Sequence, residues 1–344
     1  MSGKDGSGRS HYAGFRATIK AVGTGPRGSR ALSFDEARAA MTAVLCGETS
    51  DAQAGAFLMA MRVKGEEPQE LAGLAQALRD AALSRDPCAV APVACAGAYD
   101  GVAESPQLSL AAAILAAACG TPCVMHCGDT LGPKYGTNPA DVLAALGGPA
   151  RPRLEQSRSM LEKCGVALVH AGEAIPGWDR LAGIRDQIGL RGPVHSAEKL
   201  VDHLGARRFL VGYAHKPYGP RIVGALEALG AESSLAVRGS EGSDVPRPAR
   251  PQATTGRDEI ELPHQLGLRL ASVASAPGSA EMTRAILSGE EAGAAEVAVV
   301  LGAALRQLVA GNCDSVESGI AQSREAISSG AGTATLTRLL ESCA

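Results

Sequence analysis

Val90-Ala91-Pro92-Val93-Ala94-Cys95-Ala96, then Leu108-Ser109-Leu110-Ala111-Ala112-Ala113-Ile114-Leu115-Ala116-Ala117-Ala118-Cys119, then Pro122-Cys123-Val124-Met125-His126, read in order as strand, helix and strand. The outer runs are short, apolar and bounded by Pro or Gly, which suits buried strands. The middle run is rich in Ala and Leu, free of Pro and Gly, and long enough for about three helical turns. Downstream the alternation continues. Helices are expected over 139–146 and 154–163, a strand over 166–170, helices over about 174–188 and 196–204, then a strand over 208–213, a helix over 220–229 and a strand over 234–238. Such alternation implies a mostly parallel sheet flanked by helices on both faces. A Pro/Thr/Gly-rich loop is expected over 247–257, a late strand over 258–262, and helices over 280–287, 292–309 and 316–327.

Upstream the chain is helical. Ser33-Phe34-Asp35-Glu36 and Ser50-Asp51-Ala52-Gln53 are capping boxes, and Pro68 stands where a first-turn proline belongs. Three short-looped helices over about 33–83 make a small bundle. The two helices over 174–204 interrupt the strand–helix alternation, so the chain is expected to return there to complete the bundle. The division that follows is a helical bundle over 10–85, completed by 174–204, and an α/β domain over 88–173 and 205–344. A cleft between two such units is where ligands commonly sit.

Composition narrows the function classes. Of 344 residues, 45% are hydrophobic but only 3% aromatic, so the core must be built from Ala, Val, Leu and Ile. The formal charge of −3 marks neither a nucleic-acid nor a membrane-surface protein globally; such a role needs a local basic patch. The start, Met1-Ser2-Gly3-Lys4-Asp5-Gly6, is polar with no apolar run behind it, and run 108–119 is too short to span a bilayer. A cytoplasmic location and no membrane partner are expected. Nine cysteines without a C-x-x-C argue against both a disulfide framework and a zinc ribbon. Cys119, Cys123 and Cys127 are read as small hydrophobes.

Three stretches, taken in order, carry a resemblance. They are Gly47-Glu48-Thr49-Ser50-Asp51-Ala52-Gln53 with Met61-Arg62-Val63-Lys64-Gly65-Glu66, then the 108–120 helix, then His126-Cys127-Gly128 followed by Lys134-Tyr135-Gly136 and Ala140-Asp141-Val142-Leu143. Over roughly 15–330 this set resembles the anthranilate phosphoribosyltransferases and pyrimidine nucleoside phosphorylases. The resemblance implies a helical bundle beside an α/β domain, a phosphorylated sugar such as phosphoribosyl pyrophosphate, Mg²⁺ and a homodimer.

Departures fall where that family does its chemistry. Its Gly-Thr-Gly-Gly-Asp turn corresponds to Gly97-Ala98-Tyr99-Asp100-Gly101, which keeps two glycines but adds side chains where backbone must approach a ligand. Its Asn-x-Ser-Thr becomes Gln107-Leu108-Ser109-Leu110, and its Lys-His-Gly-Asn-Arg becomes Met125-His126-Cys127-Gly128-Asp129, an anion for a cation. Its metal-holding Asp-Gly-x-Asp-Glu becomes Glu241-Gly242-Ser243-Asp244-Val245, leaving Asp244 and Glu241 as candidate Mg²⁺ ligands. These changes, with Phe15-Arg16-Ala17-Thr18-Ile19-Lys20 and Arg191-Gly192-Pro193-Val194-His195-Ser196, are similar to a divergent second-type branch that includes YbiB-like proteins associated with nucleic-acid binding.

The candidate substrate site is therefore Gly97, Asp100, Gly101, Ser109, His126 and Lys134, all at predicted strand ends or the loops after them. Arg185 and Arg191 match positions near which the family holds an aromatic carboxylate, and Arg185 joins the set; Trp178 is read as a packing anchor. The expected activity is pentosyl or phosphoribosyl transfer at a degenerate site, with an acceptor other than that of tryptophan synthesis. The alternative is a non-catalytic single-strand nucleic-acid binder, which would need Arg9, Arg16, Lys20, Arg27, Arg30, Arg207, Arg208, Lys216 and Arg221 to converge, with Tyr99, Tyr135, Tyr213 and Tyr218 as stacking platforms.

Overall fold

The computed structural model describes residues 13–256, 258–260, 262–263, 267–273 and 275–343. Four helices open the chain: α1 (Phe15–Gly23), α2 (Phe34–Leu45), α3 (Asp51–Lys64) and α4 (Pro68–Ala81). Both capping boxes form as the spacing predicts, Ser33 with Glu36 and Ser50 with Gln53. Sequence reasoning missed α1, which docks on α3 through Phe15 edge-on to Phe57 at 5.5 Å. The buried Glu70 carboxylate holds the bundle's entry, accepting the Leu32 N–H at 2.7 Å and pairing with Lys64 at 2.6 Å. A β-carbon on Gly73 would lie 2.3 Å from the Phe34 carbonyl oxygen, so this glycine sets how closely α4 crosses α2.

The α/β part runs β1 (Val93–Ala96), α5 (Ser109–Ala118), β2 (Cys123–Cys127), α6 (Pro139–Leu146), α7 (Leu154–Cys164) and β3 (Val166–His170). The return segment holds α8 (Ala171–Ala174), α9 (Trp178–Ile188) and α10 (Val194–Ala197). Then come β4 (Arg208–Tyr213), α11 (Tyr218–Ala228), β5 (Ser233–Arg238), β6 (Ala253–Thr255), β7 (Asp258–Ile260) and four helices, α12 (Ala276–Ser288), α13 (Ala294–Ala310), α14 (Val316–Ser328) and α15 (Ala331–Ser342). The strand order is β3-β2-β1-β4-β5-β6-β7; the first five strands run parallel, and β6 and β7 close the edge antiparallel. The expected loop over 247–257 thus contains a strand, too short for the residue pattern to reveal.

Side chains alternate across the sheet. Ala94, Val124, Phe209 and Val211 face the bundle and α11, while Cys95, Met125 and Leu210 face α5 and the C-terminal helices. This places His126, in step with Val124, on the bundle side.

The return segment lies against the bundle. Arg180 on α9 donates to the Val44 and Thr49 carbonyls at 2.5 and 2.6 Å, and Arg79 on α4 donates to the Leu200 carbonyl at 2.8 Å. Neither expected helix is continuous. Pro176-Gly177 breaks the first, and Gly177 (φ +85°) sits so close to the Leu45 carbonyl that a β-carbon would be 2.4 Å away. The second is one helical turn and two 3-10 turns, extended at Val201 and left-handed at Leu204 (φ 55°). That turn lets the Leu204 N–H reach the Ser84 carbonyl at 2.6 Å. Among the described residues no helix is long and apolar enough to cross a membrane.

Candidate interdomain cleft

A cavity of about 530 Å³ opens between bundle and sheet at the carboxyl ends of β4 and β5. Its cations are Arg62 from α3, Lys134 from the loop before α6, Arg191 after α9 and Lys199 after α10. His195, His215, Tyr213 and Tyr218 join them, and Glu66 is the one acidic side chain among the described lining residues.

The cations differ in their pairing. Arg191 grips the buried Asp100 through two bonds, 2.8 and 3.1 Å. Lys134 approaches Asp100 at 3.8 Å and Glu241 at 3.5 Å, and burial lowers its pKa from the ordinary value. Lys199, nearly fully buried, donates to the Gly212 carbonyl at 3.0 Å, and desolvation brings it down to about 8. Arg62 donates to the Arg191 carbonyl. Among the described residues neither Lys199 nor Arg62 has a carboxylate within ion-pair distance. His195 is held well below its ordinary pKa by burial and by Lys199 and Arg191, and its Nδ1 is buried without a hydrogen-bond partner.

The residues expected to form one site lie in three places. Lys134 lines the cleft, with Asp100 behind it. Gly97, Ser109, His126 and Asp244 surround a separate void of about 10 Å³, room for no more than one water. Arg185 borders neither: its guanidinium pairs with the buried Glu198 at 2.5 and 3.2 Å and lies 5.5 Å from the Trp178 ring centre. Burial raises Glu198 to about 7.

The small void is closed by the departures noted above. Tyr99 turns inward, its hydroxyl 2.6 Å from His126 Nδ1 and its ring 5.5 Å from Trp178. Burial drives the Tyr99 pKa well above, and that of His126 well below, their ordinary values. The two glycines make close approaches within the protein. A β-carbon on Gly101 (φ +72°) would meet the Gly136 carbonyl oxygen at 2.3 Å, and one on Gly97 would meet the backbone of Ser243 and Asp244 at 3.3 Å.

The two candidate metal ligands are likewise engaged. Asp244 accepts from the Ser109 hydroxyl on one oxygen and from Arg306 on the other, and Arg306 is completely buried. Glu241 (φ 55°) accepts the N–H groups of Ala103, Glu104 and Ser105 at 2.8, 3.0 and 3.2 Å, and the Ser105 hydroxyl at 3.0 Å. Burial pulls the Glu241 pKa upward, but these donors and Lys134 outweigh it, leaving it below the ordinary value. Mg²⁺ requires oxygen ligands free to face it. With one carboxylate neutralised by a buried arginine and the other filled by backbone donors, this pair does not fit the ion, and no group of three His, Cys, Asp or Glu able to hold a metal occurs among the described residues.

Several of the basic side chains named for a nucleic-acid groove are engaged within the protein. Arg207 and Arg208, at the amino end of β4, both pair with Glu232, at 2.8 and 3.5 Å. Arg30 pairs with Glu36 at 2.5 Å beside α2, and Arg221 lies over Tyr218 at 5.5 Å by the cleft. Arg9 lies outside the described residues. Asp129, the anion standing for a family cation, is exposed and pairs with Arg151 at 3.3 Å and His170 at 3.2 Å.

Residues 16–82 match the glycosyl transferase family's helical bundle domain and residues 100–333 its α/β domain. The chain belongs to the anthranilate phosphoribosyltransferase-like glycosyltransferase family. It is 33% identical to an anthranilate phosphoribosyltransferase of Methylobacterium sp. (strain 4-46), over 95% of this chain and 98% of that one. A relative of the same description from Rubrobacter xylanophilus is 32% identical over 90% of this chain and 93% of that one. The crystal structure of the Thermus thermophilus enzyme superposes with a TM-score of 0.81 at 26% identity, covering 96% of this chain and 98% of that one. The Saccharomyces cerevisiae enzyme in complex with PRPP and Mg shares the fold, with a TM-score of 0.80 at 17% identity over 97% of this chain and 99% of that one.

Arg62, Glu66, His195 and Lys199 were not among the expected site residues. Arg62 and Glu66 lay in a stretch valued for its family resemblance alone. His195 and Lys199 lie in a stretch read partly as continuous helix, a reading that hides which side chains face a cleft.

Proposed function

We propose that this chain binds a small phosphorylated sugar in the interdomain cleft, using side-chain cations in place of a metal. The observation that carries this is Lys199 and Arg62, two cations on the cleft wall without a carboxylate partner among the described residues. Lys199 is buried whereas Arg62 is exposed; burying a cation short of partners is costly, and an anionic ligand supplies the compensation. Lys134, which donates to the Glu241 carbonyl at 3.1 Å and stands 3.5 Å or more from its carboxylate neighbours, adds a third cation to the same wall.

The relatives named above transfer a phosphoribosyl group to anthranilate, and one is known with PRPP and Mg bound. Release of pyrophosphate needs its charge neutralised in the transition state. Here the void beside Gly97, the turn that the resemblance assigns to pyrophosphate, is too small for that group, and both Asp244 and Glu241 are engaged. Transfer to anthranilate is therefore not the proposed role. A pentosyl transfer at the cleft, with another acceptor and a ligand anchored by Lys134, Arg191 and Lys199, is the activity that remains. Mg²⁺, if it enters with the ligand, would be held by ligand phosphates and not by Asp244 or Glu241.

The test is calorimetry and thermal shift of the full chain with ribose 5-phosphate, with phosphoribosyl pyrophosphate with and without Mg²⁺, and with a short single-stranded oligonucleotide. A ligand at 100 times its dissociation constant adds about 2.7 kcal/mol to stability. The reading expects a sugar-phosphate shift that persists in EDTA and disappears in Lys134→Ala. A flat response to sugar phosphates, with oligonucleotide binding that falls steeply with salt, would replace it with the nucleic-acid reading. The homodimer implied by the family is tested by sedimentation. Val63 on α3 is 83% exposed, and Val63→Glu is expected to shift the chain toward monomer if the bundle forms the interface.

A further inference from the structure

We propose that the ligand of this cleft carries, besides its phosphate, a nitrogen-containing head whose N–H donors are received by Glu66, the chemistry of an amino-bearing purine nucleoside monophosphate. This rests on the phosphate reading above.

Glu66 is 3% exposed and lines the cavity, yet among the described residues it forms no ion pair within 4 Å. Its hydrogen-bond partner from a side chain is the Tyr218 hydroxyl, at a long 3.4 Å. A buried carboxyl with acceptor capacity to spare is costly unless something else donates to it. Burial raises its pKa, outweighing its own backbone N–H, Arg221, the Tyr218 hydroxyl and Lys64, which all lower it.

Glu66 is the one acidic side chain among the described lining residues, and the lining cations Lys134, Arg191 and Lys199 come from other segments of the chain. Tyr218 and Ile222 line the cavity, and Tyr218 also touches Glu66. Together they offer an apolar, partly aromatic flank suited to a flat ring. A sugar phosphate alone would meet the lining cations and leave Glu66 with the long Tyr218 bond as its side-chain partner. At about 530 Å³ the cavity is within the range of small-molecule sites and accommodates both parts. A guanine head presents adjacent N–H groups, which two carboxylate oxygens accept together.

The experiment is calorimetry of the full chain with guanosine 5′-monophosphate, inosine 5′-monophosphate and ribose 5-phosphate. Guanosine 5′-monophosphate is expected to bind at least about tenfold more tightly than ribose 5-phosphate, about 1.4 kcal/mol. Glu66→Gln is expected to bring its affinity down to the ribose 5-phosphate level. On the unaltered chain, inosine 5′-monophosphate, which lacks the exocyclic amine, is expected to bind more weakly than the guanosine compound, so the test stands even where the variant fails to fold. Equal binding of all three, or a preference that survives in folded Glu66→Gln, overturns the inference about Glu66 and leaves the phosphate reading intact. Binding of none of them overturns both.

Discussion

Replacing Arg306 by methionine is expected to destabilise the chain by about 3–5 kcal/mol, the range for removing one partner of a buried ion pair. The guanidinium is fully buried, donates to Asp244 and to the Gly302 carbonyl at 2.9 Å, and fills the space beside a carboxylate that is itself only 1% exposed. Methionine retains the apolar stem but not the guanidinium, so part of the loss comes from the space that group leaves. The greater part comes from Asp244, left with the Ser109 hydroxyl as its one remaining donor among the described residues. The assay is urea denaturation of the single variants Arg306→Met and Asp244→Asn and of the double variant. Because the asparagine is neutral, the second substitution removes the orphaned charge, and the cycle should show a coupling of about 2 kcal/mol or more. Additivity within about 0.5 kcal/mol, or a loss below about 1 kcal/mol in Arg306→Met, would refute the claim that this arginine neutralises Asp244. The same reasoning expects millimolar Mg²⁺ to leave the stability of the unliganded chain unchanged.

Other expectations follow from the same contacts. Tyr99→Phe deprives the buried His126 Nδ1 of its partner and is expected to cost about 1–3 kcal/mol in denaturant titration, with no loss of ribose 5-phosphate affinity because this pair lies outside the cleft. His203 is depressed by burial from 6.5 to about 3, so the unfolded chain binds its proton first as the medium is acidified. Its stability contribution is complete above about 6.5 and is lost as pH falls toward about 3, at up to about 1.4 kcal/mol per pH unit. His203→Phe should flatten that limb of the stability profile, and an unchanged limb would count against it. Lys199 is depressed from 10.5 to about 8, so the unfolded chain holds the extra proton between those values and stability rises with pH across that window. Lys199→Met should lack this rise, and calorimetry should show it binding ribose 5-phosphate at least about tenfold more weakly, the loss typical of a charge-assisted contact.

Local chemistry made much of the fold legible. Ser33 with Glu36, Ser50 with Gln53, and Pro68 each write a helix start into adjacent residues, because capping is satisfied within a single turn. The parallel strands were equally plain, since both their faces are covered and their apolar runs are unbroken. Elements whose stability comes from tertiary partners escaped notice. α1 lacks a side-chain cap and depends on Phe57, β6 is three residues long and exists as a partner of β5, and the 194–205 segment bends to meet Ser84.

The site divides in the same way. From the sequence by itself came the family, the two-part architecture and the knowledge that Ala98, Tyr99, Asp129 and Asp244-Val245 depart from the family's working residues, because those are statements about residue identity and order. Whether a retained residue still faces a ligand is a matter of direction in space. Tyr99 turning inward converts His126 from a candidate contact into core, and Arg306, sixty-two positions from Asp244 along the chain, occupies the carboxylate a metal would need. Spacing carries no record of such distant pairings. Only the tertiary structure brings Arg62, Glu66, Lys134, Arg191 and Lys199 to one cavity, since they come from separate segments that meet when the bundle closes on the sheet.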